Sequence, residues 1–142
     1  MKIASILTRK GDFVATVAPD STVRSLLGTL AEYRIGAVVV SVDGESIAGI
    51  ASERDVVRAL NDLGNVILDA PVSQIMSKLV ASCERNSTIE ELMVLMTDNR
   101  VRHVPVLEDG KLIGIVSIGD IVKTRIEILE DERKSLLSYI TS

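Results

Sequence analysis

Val23, Leu26, Leu27, Leu30 and Ala31 recur at the spacing of one helical face, directly behind Asp20, Ser21 and Thr22, whose short polar side chains offer N-caps. The same stripe returns at Ile89, Leu92, Met93 and Met96, where Ser87 precedes Glu90 by three residues and predicts a capping box. Each stripe is followed by a nearly continuous apolar run, at residues 35–40 and 101–107, the pattern of strands buried on both faces. Asp43-Gly44 and Asp109-Gly110 then predict tight turns into strands at 47–51 and 112–116, so each run opens a hairpin. Residues 13–17 form a short extended run ended by Pro19. A long helix is expected over about 120–139, kept mostly solvated by Glu127, Glu130, Asp131, Glu132, Arg133 and Lys134.

The two halves are copies. Ser21-Thr22-Val23 returns as Ser87-Thr88-Ile89, Arg34-Ile35 as Arg100-Val101, and Asp43-Gly44 as Asp109-Gly110. Beyond the turn, Gly49-Ile50-Ala51-Ser52-Glu53-Arg54-Asp55 aligns with Gly114-Ile115-Val116-Ser117-Ile118-Gly119-Asp120, after one extra residue in the first turn. Ile6-Leu7-Thr8 answers Ile75-Met76-Ser77, with further insertion around Gly11-Asp12 in the first copy. Insertion at turns and agreement within elements mark a duplicated structural unit. The expected fold is α/β: two pseudo-twofold β-α-β-β-α repeats packed sheet to sheet around one core, plus a long C-terminal helix. The first repeat is assigned to 1–62, the connection with its breakers Gly64 and Pro71 to 63–71, the second repeat to 72–124, and the helix continuation to 125–142. Pseudo-twofold packing would create two equivalent clefts.

Composition narrows the chemistry. With 142 residues, 46% of them hydrophobic, the chain is sized for a compact core and is not a disordered linker. No apolar run approaches the ~18 residues that span a bilayer, and no signal-peptide pattern opens the sequence, so a soluble cytoplasmic protein is expected. A net charge of −4, two Tyr, one Phe and no Trp argue against a nucleic-acid polymer as partner. The single Cys83 and single His103 exclude an internal disulfide and any multi-cysteine or multi-histidine metal centre within the chain. Cys83 reads as a packing residue, and the acidic cluster near residue 131 as a solvated helix face. There is no nucleophile elbow, P-loop or dinucleotide fingerprint, so an enzyme has nothing to stand on.

The informative motif is glycine, two apolar residues, serine, two variable residues and aspartate, present twice. Ser52 and Ser117 fall where a strand gives way to a helix, beside free backbone N–H groups that suit a phosphate. Asp55 and Asp120 repel phosphate but can accept hydrogen bonds from the paired hydroxyls of a ribose, and the glycine would let a flat ring approach the backbone. The same spacing also makes a helix cap. From spacing alone both readings stand, since duplication copies caps too.

Over residues 3–124 the chain resembles tandem CBS domains, named for cystathionine β-synthase, whose nucleotide signature is this motif. Arg34-Ile35-Gly36-Ala37-Val38-Val39-Val40, Ser52-Glu53-Arg54-Asp55, Arg102-His103-Val104-Pro105-Val106 and Ser117-Ile118-Gly119-Asp120 look like a bacterial stand-alone subgroup. The resemblance implies that the aspartates hold ribose and the serines touch phosphate. It implies pockets built from both copies, with Ser117 and Asp120 facing Ala15 and Thr16, and Ser52 and Asp55 facing Ala81 and Ser82. Arg102 and His103, where the first copy has Gly36 and Ala37, and Arg54, opposite Gly119, are candidate phosphate contacts. Those differences imply that the two pockets are not equivalent. The implied ligand is an adenosine compound, AMP foremost, with NAD(H), ADP, ATP and S-adenosylmethionine as further candidates, and no catalytic cofactor or metal. The implied role is a non-enzymatic sensor acting in trans on an unidentified partner, as a homodimer paired through Ile126, Ile128, Leu129, Leu136, Leu137 and Ile140. A ligand-free dimerisation scaffold, with Ser-x-x-Asp serving only as caps, is the alternative.

Overall fold

The computed structural model describes residues 1–11 and 13–141; Asp12, in the first copy's insertion, and Ser142, at the end of the expected helix continuation, lie outside them. Two three-stranded mixed sheets organise the chain. In the first, β1 (Thr16–Val17) runs parallel to β2 (Ala37–Val40), which pairs antiparallel with β3 (Gly49–Ser52). In the second, β4 (Cys83–Glu84), β5 (His103–Glu108) and β6 (Lys111–Ser117) repeat that order and those directions. Helix α2 (Val23–Tyr33) crosses from β1 to β2, and α4 (Ile89–Asn99) crosses from β4 to β5. Each sheet is followed without a gap by a helix, α3 (Glu53–Leu63) and α5 (Ile118–Thr141).

Most of the predicted stripe positions are buried: Val23, Leu26 and Leu30 in α2, and Ile89, Leu92 and Met96 in α4; Leu27 is half-buried, and Ala31 and Met93 are exposed. The apolar run of the first copy is buried at every position of β2. The capping assignment for α4 shifts by one residue. Thr88 is the N-cap and accepts from Glu91 N–H at 3.1 Å, whereas Ser87 Oγ closes the preceding turn by accepting from Glu84 N–H. The hairpins also differ. Asp109 and Gly110, both at positive φ, form a two-residue turn. In the first copy's hairpin loop Gly44 alone has positive φ, and the longer loop is organised by Asp43 Oδ1, which accepts from the N–H groups of Glu45 and Ser46 and the hydroxyls of Ser41 and Ser46. Those donors hold the Asp43 carboxyl well below the ordinary range.

A helix that the sequence reading did not expect, α1 (Ile3–Lys10), precedes β1. Its buried residues Ile3, Ile6 and Leu7 do not join the first copy. They lie in the core of the second, with Cys83, Ile89, Leu92, Met96, Val104, Val106, Val116 and Ile121. The segment before the second copy does the converse: Val72, Ile75 and Met76 pack into the first core with Val23, Leu26, Val38 and Ala51. The backbone bonds repeat faithfully. Ile3 N–H donates to Ser87 O and Ala4 N–H to Arg85 O; in the matching places, Val72 N–H donates to Ser21 O and Ser73 N–H to Pro19 O. The buried residues therefore form two cores instead of the single one expected, each completed by an arm from the other copy.

This exchange explains the glycines of the repeated motif. A Cβ on Gly49 would lie 2.7 Å from Ser77 O and 2.9 Å from Met76 Sδ; one on Gly114 would collide with the Leu7 side chain. Each glycine admits the arm that crosses the sheet, which is a different use from the ring approach expected of it.

Candidate functional site

Both Ser-x-x-Asp elements sit where a strand ends and a helix begins, and both form reciprocal caps. Ser52 Oγ accepts from Asp55 N–H, and Asp55 Oδ2 accepts from Ser52 N–H and Ser52 Oγ, each at 3.0 Å. Ser117 Oγ accepts from Asp120 N–H at 3.2 Å, and Asp120 Oδ2 accepts from Ser117 N–H at 2.9 Å. The capping interpretation of the motif thus holds in full. It does not exhaust the carboxylates, because each has about four acceptor positions.

The two aspartates are finished differently, and the crossing arms make the difference. Asp55 is buried, and its Oδ1 accepts from Ser77 Oγ at 2.9 Å, with Arg58 Nη1 at 4.0 Å. Asp120 is more open, at 25% side-chain exposure. Lys10 Nζ donates both to its Oδ2 and to Ile115 O, at 2.8 Å each. Asp120 Oδ1 takes no hydrogen bond among the described residues. Burial pushes the Asp120 carboxyl up, but the bonds from Lys10 and Ser117 outweigh it and hold the group below its ordinary value.

A cleft opens beside each motif. The smaller, about 470 Å³, brings Ser117 and Asp120 together with Ala15, Lys10, Arg34 and His103. At its mouth the rings of Phe13 and Tyr33 lie 5.1 Å apart in a tilted pair. The larger, about 870 Å³, brings Ser52 and Asp55 together with Ala81, Arg54, Arg102 and His103. Ala15 and Ala81, which precede β1 and β4, line these clefts together with the motif of the opposite copy. Thr16 and Ser82 line neither cleft. Successive residues of an extended segment point to opposite sides, so if Ala15 and Ala81 face the clefts, their neighbours turn away.

Gly36, Ala37, His103 and Ser117 belong to both clefts and form the wall between them. A Cβ on Gly36 would stand 3.7 Å from His103 Cε1, so the imidazole of one copy lies over the bare backbone of the other. Burial lowers the His103 pKa, helped by the charges of Lys10 and Arg102 and opposed by Asp120 and Glu53. A neutral imidazole that can still accept or donate a hydrogen bond at neutral pH is the result.

Several cleft residues carried no functional assignment from the sequence. Lys10 belongs to the unexpected α1. Arg34 and Arg100 were visible as a repeated pair, and each is a helix C-cap in the left-handed region, at φ 54° and 53°. That position favours glycine, and an arginine held there in both copies, at the rim of both clefts, was the available signal. Cys83, by contrast, is buried in the second core. Burial first, then the charge of Glu84, pushes its thiol up to about 11, which suits packing and not nucleophilic chemistry. Among the described residues no group of three or more His, Cys, Asp or Glu could hold a metal ion, and no helix is long and apolar enough to cross a membrane.

Two α/β repeats with exchanged arms and a Ser-x-x-Asp cap beside each cleft define a tandem-repeat module. The CBS domain family matches residues 3–62 and 72–127, and the chain belongs to that family. It is similar to the crystal structure of a CBS-domain-containing protein of Agrobacterium tumefaciens, at 46% identity and TM-score 0.84, over 88% of this chain and 99% of that one. It is 36% identical to a mitochondrial CBS domain-containing protein of Arabidopsis thaliana over 85% of this chain, and spans 61% of that relative's length. Two more distant structures share the fold and were solved with ligands. A CBS domain protein of Pyrobaculum aerophilum, at 24% identity and TM-score 0.79 over 92% of this chain and 97% of that one, is complexed with AMP. Another CBS domain pair, at 18% identity and TM-score 0.77 over 87% of this chain and 94% of that one, holds 5-methylthioadenosine and S-adenosyl-L-methionine.

Proposed function

We propose that this chain is a non-enzymatic sensor that binds an adenosine ligand between its two repeats and passes the change to a partner in trans. AMP is the simplest candidate, and NAD(H), ADP, ATP and S-adenosylmethionine present the same ribose. The carrying observation is that Asp120 keeps Oδ1 unbonded among the described residues while lining a cleft with the Ser117 cap and with Ala15 of the other copy, just before β1. Ribose hydroxyls can donate to that oxygen, and a phosphate can meet the serine and the helix N-terminus beside it. Adenosine compounds in the structures of distant relatives support this choice of ligand class. A bound ligand would bridge residues of both copies and rigidify the cleft, a change that a partner can read. One free, buried thiol suits a reducing compartment such as the cytoplasm.

The exposed apolar side chains of α5, among them Ile126, Leu129, Leu136 and Leu137, support a homodimer. The complete Ser52–Asp55 capping box favours the second reading, a dimerisation scaffold without ligand. Thermal shift with AMP, ADP, ATP, NAD⁺, NADH and S-adenosylmethionine separates the two. A ligand at about 100 times its Kd adds ~2.7 kcal/mol, a rise of several degrees. A flat series on nucleotide-free protein would leave the scaffold.

A further inference from the structure

We propose that the larger cleft is a polyphosphate site, made for a nucleoside di- or triphosphate, and that it differs in ligand class from the smaller cleft. This rests on the adenosine reading for the nucleoside and on charge for the phosphates. Arg54 and Arg58 come from the first two turns of α3, Lys78 from the crossing arm, Arg100 from the end of α4 and Arg102 from the approach to β5. These five cations converge on one opening, facing only two carboxylates, Glu53 and Asp55.

The carboxylates do not neutralise them. Among the described residues Arg54, Lys78, Arg100 and Arg102 enter no ion pair, and Arg58 alone approaches Asp55, at 4.0 Å. Elsewhere on this acidic chain Arg9, Arg24, Arg85 and Lys111 each have a carboxylate partner, and cations unpaired among the described residues, such as Lys123, Arg125, Arg133 and Lys134, are spread along α5 outside both clefts. Gathering unpaired like charges costs free energy through mutual repulsion, and an anion that fills the cleft removes the cost.

The smaller cleft lacks this excess. Its Lys10 is committed to Asp120, which leaves Arg34 as its one unpaired cation among the described residues. Two of the five cations break the repeat: Arg54, in the first copy, aligns with Gly119, and Arg102, in the second, aligns with Gly36, so the larger cleft carries charge where the matching positions are glycine. The volumes run in the same direction: the more basic cleft is the larger, at about 870 Å³ against about 470 Å³.

Calorimetric titration of the full chain with AMP, ADP, ATP and inorganic tripolyphosphate, at two ionic strengths, tests this. ATP should bind tighter than AMP by roughly tenfold or more, the yield of one added charge-assisted contact, and tripolyphosphate should compete with ATP. The preference should weaken with salt. Arg54→Gln/Arg102→Gln, at exposed positions where folding is checked by circular dichroism, should abolish the ATP preference while AMP still binds. Arg85→Gln/Lys111→Gln removes the same charge away from both clefts and should keep it. Equal affinity for AMP and ATP, or an equal loss in the control variant, overturns the proposal and leaves the adenosine reading intact. Binding of tripolyphosphate with no nucleotide preferred over it keeps the polyphosphate site and overturns the adenosine reading. No binding by any of the four overturns both.

Discussion

Lys10 Nζ lies 2.8 Å from Asp120 Oδ2, so the carboxylate at the heart of the smaller cleft is already held by a cation from the other end of the chain. The same ammonium bonds Ile115 O, and its neighbour Arg9 pairs with Glu127 on α5. Helix α1 is therefore tied to both the strand and the helix that flank the second motif.

Lys10→Met should destabilise the protein at neutral pH by at most about 1 kcal/mol, since the pair is open to solvent. The sign with pH follows from Asp120. Its carboxyl is held below 3.8, so the ionised form stabilises the fold above that pH, and the contribution is lost as pH falls through the lower folded value. Urea unfolding at pH 7 and pH 3 should show the gap between variant and wild type narrowing in acid. An unchanged gap would mean that the Ile115 bond alone matters.

Gly49→Ala and Gly114→Ala should both destabilise, by about 1–3 kcal/mol, as overpacking does. Gly49→Ala should be the worse. Its added methyl meets the backbone oxygen of Ser77, which cannot move without the whole arm, whereas Gly114→Ala meets only the end of the Leu7 side chain. Denaturant midpoints of the two variants give the order directly.

Arg34→Gly and Arg100→Gly should each leave stability unchanged or raise it by up to about 1 kcal/mol, because a left-handed C-cap suits glycine. The capping bonds are made by the backbone, from the N–H groups of Ile35 to Leu30 O and Val101 to Met96 O, and survive the change. Thermal melts test this; a marked loss in either variant would show that the side chain supports the fold.

Cys83 should resist alkylation in the folded protein. With its thiol pushed up to about 11, almost no thiolate exists at pH 8, and the sulfur is buried as well. Mass spectrometry after iodoacetamide should find it unmodified without denaturant and labelled in urea. Rapid labelling of the native chain would place it outside the core.

What the sequence made legible was everything carried by local periodicity or by repetition. The stripes of α2 and α4, the buried run of β2 and the strand-to-helix position of Ser52 and Ser117 all follow from spacing within one segment. Helix α1 did not, although Ile3, Ile6 and Leu7 have helical spacing. It is one short turn-and-a-half of apolar residues, Lys2 offers no side-chain cap, and its partners lie in the other copy. The site suffered for the same reason. Lys10 and Ser77, which decide how Asp120 and Asp55 are satisfied, reach them only through the exchange of arms. The slip from Thr88 to Ser87 is a different failure: two hydroxyl residues stand side by side, and only the turn after β4 decides which one caps.

The exchange of arms has a consequence for synthesis. On the ribosome, residues 3–7 emerge before any residue of the core they complete, whose first member outside the arm is Cys83. The first repeat in turn lacks Val72 and Met76 until the connection has been made. The first core can close only once residue 76 has emerged, and the second, begun by residues 3–7, must await the chain as far as Ile121. Two separately expressed halves should accordingly be poor solitary folders and good complements, each carrying the missing piece of the other.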